Sequence, residues 1–389
     1  MSDYLKQYRM ELDTVGPVFI GSGREISKKE YIFVPKSEKL PAYISVMDIQ
    51  KLYAFVQKRH LQADFENFMM NFPRMTLEEW LNKKHINVGE LNSCVRYIVG
   101  AGDTQLTGWN KIGRDSGTKA SIMEFMRDAQ GLPYVPGSSI KGMLRTILLT
   151  EDIHSHPEKY RNEKDSLRRE INAKRGQRVS RQGCLKRQAG AFEQRAFYTL
   201  GKDEKKPENA VNDRLSGLVV SDSEPLRNAD LVLAQKVDLT TESDRKPLNL
   251  IRECIRPGKK ICFTMTVDEK ACPDITPEKI QKAITVFNDI YGECFLSSFK
   301  ALGPRHDSVY LGGGAGYGTK TVLYAALGKE EGTRAAAEIF RATGVPQNHH
   351  HSDDVTKYKV SPHMVKLTRY CGGLKVMGEC KVKIIEDKV

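Results

Sequence analysis

Gly131-Leu132-Pro133-Tyr134-Val135-Pro136-Gly137-Ser138-Ser139-Ile140-Lys141-Gly142-Met143-Leu144-Arg145 carries the end of a strand sharply into the start of a helix. Ile140, Met143, Leu144, Ile147 and Leu148 fall at i, i+3, i+4, i+7 and i+8, the spacing of one buried helical face. Ser138 or Ser139 is positioned to cap the free N–H groups of the first turn. A helix N-terminus attracts anions through its dipole and its unpaired N–H groups. Lys141 and Arg145 lie four residues apart, on the face away from the apolar stripe. A capped amphipathic helix with solvated charges accounts for the same residues without any ligand.

Working outward, strict alternation in Tyr8-Arg9-Met10-Glu11-Leu12-Asp13 predicts a half-buried strand. Gly16-Pro17 reads as a turn and Gly21-Ser22-Gly23 as a flexible loop. Gly217-Leu218-Val219-Val220 is a short apolar run. In 259–267, Ile261, Phe263, Met265 and Val267 alternate with Cys262, Thr264 and Thr266. Thr276-Pro277 supplies a cap and a first-turn proline for a second helix, whose stripe is Ile280, Ala283, Ile284, Phe287 and Tyr291. Thr321-Val322-Leu323-Tyr324 reads as a last strand. The order is strand, helix, strand, strand, helix, strand, that of a split βαβ or ferredoxin-like fold. Three stretches lengthen it as insertions: 46–89, mostly helical; 152–214, basic and helical; and 230–256, a hairpin region. The first module spans 1–328. An extension, 329–389, holds a predicted helix at 330–343, a His-rich loop and a strand-like 381–385, and is a candidate part of a second, degenerate module of the same type.

The 389 residues are 40% hydrophobic, enough to bury a sizeable core, and no apolar run is long enough to span a bilayer. Met1-Ser2-Asp3-Tyr4-Leu5-Lys6-Gln7-Tyr8-Arg9 has no apolar core of a secretory signal. The eight cysteines are scattered with no C-x-x-C pair, which argues against a zinc ribbon or a redox motif and fits reduced thiols in a cytoplasm. Net charge is +12, so a polyanion is the first partner to consider, against the alternative of a basic surface that only aids solubility.

Leu311-Gly312-Gly313-Gly314-Ala315-Gly316-Tyr317-Gly318-Thr319-Lys320-Thr321 admits several readings. A P-loop needs its lysine directly after the last glycine, and Thr319 intervenes. A dinucleotide loop would use Gly314 and Gly316. Both need a strand before and a helix after, whereas a helix and loop are predicted before and a strand after. A third reading is a bare backbone approaching a phosphodiester, with Lys320 adding charge and Tyr317 a stacking face. A tight structural turn is the fourth.

Pro133-Tyr134-Val135-Pro136-Gly137-Ser138-Ser139-Ile140-Lys141-Gly142-Met143-Leu144-Arg145 resembles the serine- and glycine-containing segment of the RAMP superfamily of CRISPR RNA-binding proteins. The glycine run resembles that family's G-loop. Gly21-Ser22-Gly23 and Val220-Ser221-Asp222 fall where the family has comparable elements. Lys357-Tyr358-Lys359-Val360-Ser361-Pro362 with Gly378-Glu379-Cys380 is most similar to the C-terminal part of the type III-A (Csm) subunit that caps the complex at the guide RNA 3′ end. The resemblance implies an α+β, elaborated ferredoxin-like (RRM-like) RAMP fold with helical insertions. It implies a non-catalytic subunit that holds CRISPR RNA (crRNA) and contributes to its maturation. The implied partners are crRNA, an adjacent RAMP backbone subunit, other subunits of the effector complex and host nucleases, with no membrane and no cofactor. Ser138, Ser139, Lys141, Arg145, Gly312, Gly313, Gly314, Gly316, Tyr317, Gly318 and Lys320 occupy the matching RNA-binding positions.

The insertion 159–187 is rich in Arg and Lys, as a mobile arm on RNA or as a solvated helical face would be. His154 and His156 fall in a predicted loop. His349, His350 and His351 precede Asp353 and Asp354, but consecutive residues rarely converge on one metal, so no metal site is expected. His85 and His306 lie near basic residues without a partner acid in view, so no catalytic residue is assigned. An endoribonuclease of the same superfamily and a repeated backbone subunit are the rival readings. On the leading one, affinity for single-stranded RNA falls as salt rises, with a log–log slope of about −0.7 per phosphate neutralised. A binding titration across salt concentrations checks this, and a salt-independent affinity removes the charge argument.

Overall fold

The computed structural model describes residues 4–104, 121–346, 349 and 351–386. Among them run the strands β1 (Leu5–Thr14), β2 (Gly21–Ile26), β3 (Tyr31–Val34), β4 (Tyr43–Met47), β5 (Val95–Gly100), β6 (Ile122–Phe125) and β7 (Leu218–Val220). They continue with β8 (Leu231–Thr240), β9 (Arg245–Ile255), β10 (Lys260–Asp268), β11 (Ser308–Tyr310), β12 (Met364–Tyr370), β13 (Gly373–Val376) and β14 (Glu379–Glu386). The helices are α1 (Ile49–Lys58), α2 (Gln62–Asn71), α3 (Leu77–Lys83), α4 (Gly137–Ser155), α5 (Arg161–Ala173), α6 (Lys186–Phe197), α7 (Pro277–Cys294) and α8 (Leu323–Ala342). None is long and apolar enough to cross a membrane.

The first sheet has the order β11-β14-β1-β10-β7 and is antiparallel throughout. Its register follows from alternation. Met10 lies opposite Phe263 and Leu12 opposite Ile261, and all four are buried. The apolar stripes of α4 and α7 pack together in the same core. With α4 between β1 and β7, and α7 between β10 and the strand beside β1, this is the ferredoxin-like arrangement. The strand beside β1, however, is β14, from the far end of the chain.

That is a correction to the sequence reading. Residues 321–324, expected as the last strand, lead into α8 instead, and Leu323, Tyr324 and Ala326 are buried on it. The short apolar run was too brief to show a period, and packing rather than β propensity decided it. The expected end of the first module, residue 328, is a kink inside α8, with Gly328 at φ 72°. Gly21-Ser22-Gly23, expected as a loop, opens β2.

The second sheet has the order β2-β6-β9-β8-β5-β4-β3, with β12 also paired to β8 and β13 to β12. The β8–β9 hairpin at its centre is the insertion expected at 230–256. The helical 46–89 insertion packs a satellite core, with Phe65, Phe68 and Trp80 in mutual contact. Asp48 caps α1, and Thr76 with Glu79 forms a capping box on α3.

Neither Ser138 nor Ser139 caps α4. Pro136 is the N-cap residue, and the Gly137 N–H donates instead to Asp222 Oδ1 at 2.9 Å. A Cβ on Gly137 would stand 2.1 Å from the Val220 carbonyl oxygen and 2.4 Å from that of Ser221. Glycine is therefore what lets the helix start abut the end of β7. Gly137→Ala forces these elements apart and destabilises the fold by about 1–3 kcal/mol. Asp222→Ala removes only the cap and costs roughly 1 kcal/mol. Urea unfolding of both variants checks the ranking, which is reversed if the cap rather than the close approach holds the junction.

Candidate nucleic-acid interface

The G-loop is held by backbone. Gly313 N–H donates to the Phe19 carbonyl at 2.7 Å, Leu311 N–H to Gly378 O at 2.8 Å, and Gly378 N–H to Pro17 O at 2.8 Å. Gly312, at φ 79°, lies so close to Phe19 that a Cβ would stand 2.1 Å from its carbonyl oxygen. Gly318 is limited by packing, since its Cβ would stand 2.9 Å from the Tyr291 ring. A Cβ on Gly314 would approach Arg252 Nη1 at 3.1 Å, and one on Gly316 would touch Lys366 at 3.6 Å. The loop is thus both a built turn and a bare backbone beside cations.

β11 precedes the loop and α8 follows it, so the flanking elements do not themselves argue against a P-loop. The lysine spacing still does. The dinucleotide reading fails as well, because Thr319 stands where Gly314 and Gly316 would require the third glycine.

The structure brings the two sequence motifs together. Ser139, Gly142 and Thr146 of α4 face Gly312, Thr319 and Lys320 across a cleft of about 250 Å³. Ser138 and Gly142 are exposed; Ser139 and Lys141 are half-buried. Burial, with Arg145 nearby, lowers the pKa of Lys141, and it makes no ion pair among the described residues. Arg145 differs. Its guanidinium pairs with Glu193 and Asp213, each at 2.7 Å, and lies over the Phe197 ring. It ties α4 to α6 and to the approach to β7.

Lys320 is exposed and makes no ion pair among the described residues; desolvation and nearby Arg252 pull its pKa down. Arg252, on β9, lies over the Phe19 ring at 5.2 Å, also without an ion pair among the described residues, and its Nε has no hydrogen-bond partner. Sequence reasoning missed it, because an arginine in an alternating strand gives no signal of its own. Tyr317 is half-buried edge-to-face against Phe340 at 5.0 Å, and burial pushes its phenol up to about 12. Its ring is packed rather than offered as a free stacking platform. It lines a second, larger cavity of about 600 Å³ that also receives Lys320, Arg181 and Lys366.

The basic insertion is braced. Arg168 pairs with Glu331 and Arg175 with Glu338, both on α8, and Lys174 pairs with Glu170. Arg178, Arg181 and Arg187 make no ion pair among the described residues. His154 lies in the last turn of α4 rather than in a loop, and His156 contacts Asp152 at 3.0 Å. His350 lies outside the described residues. Of the His-rich run, His351 turns toward Asp354, where His363 joins it.

A backbone-lined loop beside cations without ion pairs among the described residues suits an anionic ligand. The RAMP superfamily model matches residues 11–319, which include both motifs. The CRISPR system Cms protein Csm5 of Mycobacterium tuberculosis (strain H37Rv) is 28% identical over 401 residues, covering 99% of each chain. The Csm5 of Streptococcus thermophilus is 29% identical over 333 residues, covering 84% of this chain and 83% of its own. In fold, the chain is similar to one in the cryo-EM structure of a Csm–crRNA–target RNA ternary complex of a type III-A CRISPR–Cas system. The TM-score there is 0.60 at 16% identity, covering 97% of this chain and 100% of that one. The crystal structure of T. onnurineus Csm5 gives a TM-score of 0.58 at 15% identity, with 95% and 99% covered. With the family model matching most of its length, this chain belongs to the RAMP superfamily.

Proposed function

We propose that this chain is a non-catalytic crRNA-binding subunit of a type III-A CRISPR effector complex, capping the crRNA 3′ end and contributing to its maturation in antiviral defence. One observation carries the reading. The α4 start and the G-loop close on one cleft lined by Lys320, Arg252 lies beside Gly314 of the same loop, and neither cation has an ion-pair partner among the described residues. A phosphate supplies the missing charge, and bare loop N–H groups supply donors that any guide sequence can use. The relatives named Csm5 and the fold shared with a Csm–crRNA–target RNA complex support the assembly. The partners are crRNA, an adjacent RAMP backbone subunit and the other subunits of the complex, working in the cytoplasm, with host nucleases supplying the cutting.

Three variants separate binding from folding. Lys320→Ala weakens guide-RNA binding by about 1.5 kcal/mol, roughly tenfold, without lowering the melting temperature. Gly142→Leu places a side chain in the cleft from a helical position with open space around its Cβ. It weakens binding while raising stability by about 0.5–1 kcal/mol, since leucine suits a helix interior better than glycine. Arg145→Ala does the opposite, with stability falling and RNA affinity following only the folded fraction. Affinity and melting temperature measured on the same preparations check all three. If Lys320→Ala and Gly142→Leu both bind normally, the cleft is not the RNA site.

Holding is separated from cutting by incubating the purified protein with labelled crRNA precursor, with and without EDTA. The precursor stays intact. Cleavage that His85→Ala, His306→Ala or the triple alanine change at His349, His350 and His351 abolishes in a folded protein reassigns the chain as an endoribonuclease.

A further inference from the structure

Twelve residues separate His351 from His363, yet both imidazoles meet at one carboxylate. His351 Nδ1 stands 2.9 Å from Asp354 Oδ2, and His363 Nδ1 stands 2.5 Å from Asp354 Oδ1. Three donor atoms, one from each residue, lie within 4.8 Å of one another. Asp354 has no exposure, and the side chains of His363 and His351 are 7% and 12% exposed.

The surroundings fix these groups. The Tyr358 ring stacks on His363 at 4.4 Å, and Phe340 packs on His351 at 4.7 Å. Ser361 Oγ donates to Asp354 Oδ2 at 2.6 Å, and the Tyr324 hydroxyl donates to the Ser361 carbonyl. The backbone is shaped for the same convergence, since Asp354–Tyr358 forms a single π-helical turn and Lys359 follows at φ 56°. Local irregularity of this kind concentrates at functional sites.

Charge points the same way. A fully buried carboxylate needs a positive partner, and among the described residues no lysine or arginine pairs with Asp354. Two imidazoles with one carboxylate are a donor set that zinc accepts. Zinc–ligand bonds of about 2.0–2.1 Å in a tetrahedron place ligand atoms roughly 3.3 Å apart. The two His–Asp separations, 2.9 and 2.5 Å, reach that spacing by widening less than about 1 Å, and all three donors already lie within 4.8 Å of one another. His351 lines the 600 Å³ cavity, which gives the ion a path from solvent and leaves room for a water as fourth ligand.

We propose that His351, Asp354 and His363 form a site for one Zn²⁺, which pins the loop after α8 to the lead-in of β12. From sequence no metal is expected, because His349, His350 and His351 are consecutive beside Asp353 and Asp354. The ligand set found here takes only His351 and Asp354 from that run and adds a distant histidine. The proposal does not depend on the RNA reading, and RNA is not part of its test.

The full chain is freed of metal by chelation and dialysis, loaded with excess ZnCl₂ at neutral pH, desalted and assayed by elemental analysis. One zinc per chain is retained, and zinc raises the melting temperature. Cobalt(II) in its place gives the visible absorption of a tetrahedral nitrogen–oxygen site. His351→Gln and Asp354→Asn, both close in shape to the native residues, lose the retained zinc and the thermal shift. Removing a ligand weakens binding by more than the roughly 10–100-fold that outer-shell changes cost. His349→Ala with His350→Ala keeps both signals. The proposal is overturned if the wild type retains no zinc, if His351→Gln and Asp354→Asn retain it equally well, or if the His349/His350 double variant is the one that loses it.

Discussion

The arrangement rests on a three-way backbone clamp at the G-loop. The exit of β1 contributes the Pro17 and Phe19 carbonyls, the entry to β14 contributes Gly378, and the exit of β11 contributes Leu311 and Gly313. A Cβ at Gly378 would stand 2.3 Å from the Leu311 carbonyl oxygen, and one at Gly312 would stand 2.1 Å from that of Phe19. The loop therefore takes its shape only after the first and last strands have paired, at Thr14 opposite Cys380. A contact between residues so far apart in sequence forms late, because its loop-closure entropy must first be offset by other contacts.

What was legible in the sequence was periodic. β1 and β10 alternate, and α4 and α7 carry stripes, so their type and buried faces follow from sequence. Pairing partners do not. The 381–385 segment reads as a strand on its own, but only the fold shows that it lies between β1 and β11. The α4 cap is a nonlocal choice of the same kind. Ser138 and Ser139 had the right chemistry, yet Asp222, brought in by β7, takes the N–H. The site was half legible. Both motifs were visible and the structure joins them at one cleft, but nothing in the sequence singles out Arg252 within its hairpin, or His363 before β12.

The net charge of +12 overstates what is free to meet RNA. Arg145, Arg168 and Arg175 are engaged by carboxylates of neighbouring helices and turns, where they brace α4 and α8, and Lys174 pairs with Glu170 of its own helix. Surface pairs of this sort contribute little individually, whereas a partly buried one such as Arg145 with Asp213 and Glu193 fixes geometry. Composition alone cannot separate these cations from Lys141, Lys320 and Arg252, because the difference lies in which acids the fold brings near.

The cations left over are costly to the free protein, and that cost bears on function. Burial lowers the pKa of Lys141, Lys320 and Arg252, and it pushes Lys236, beside Lys366, down to about 8. A lysine whose folded pKa lies below its unfolded value destabilises the fold while charged, and that penalty falls as pH rises from the folded value and is gone above the unfolded one. For Lys236 the unfolded chain holds more protons from about pH 8 to its ordinary 10.5, so stability rises with pH across that window. Two close acidic neighbours, Glu193 and Asp213, offset the penalty at Arg145, whereas the single Asp238 at 3.5 Å does not offset it at Lys236 beside Lys366. At Lys320 and Arg252 no such neighbour is placed among the described residues, so the penalty persists until an outside anion arrives. On the proposed reading a bound phosphate supplies that anion to both cations, so contact and relief of their mutual repulsion arrive together.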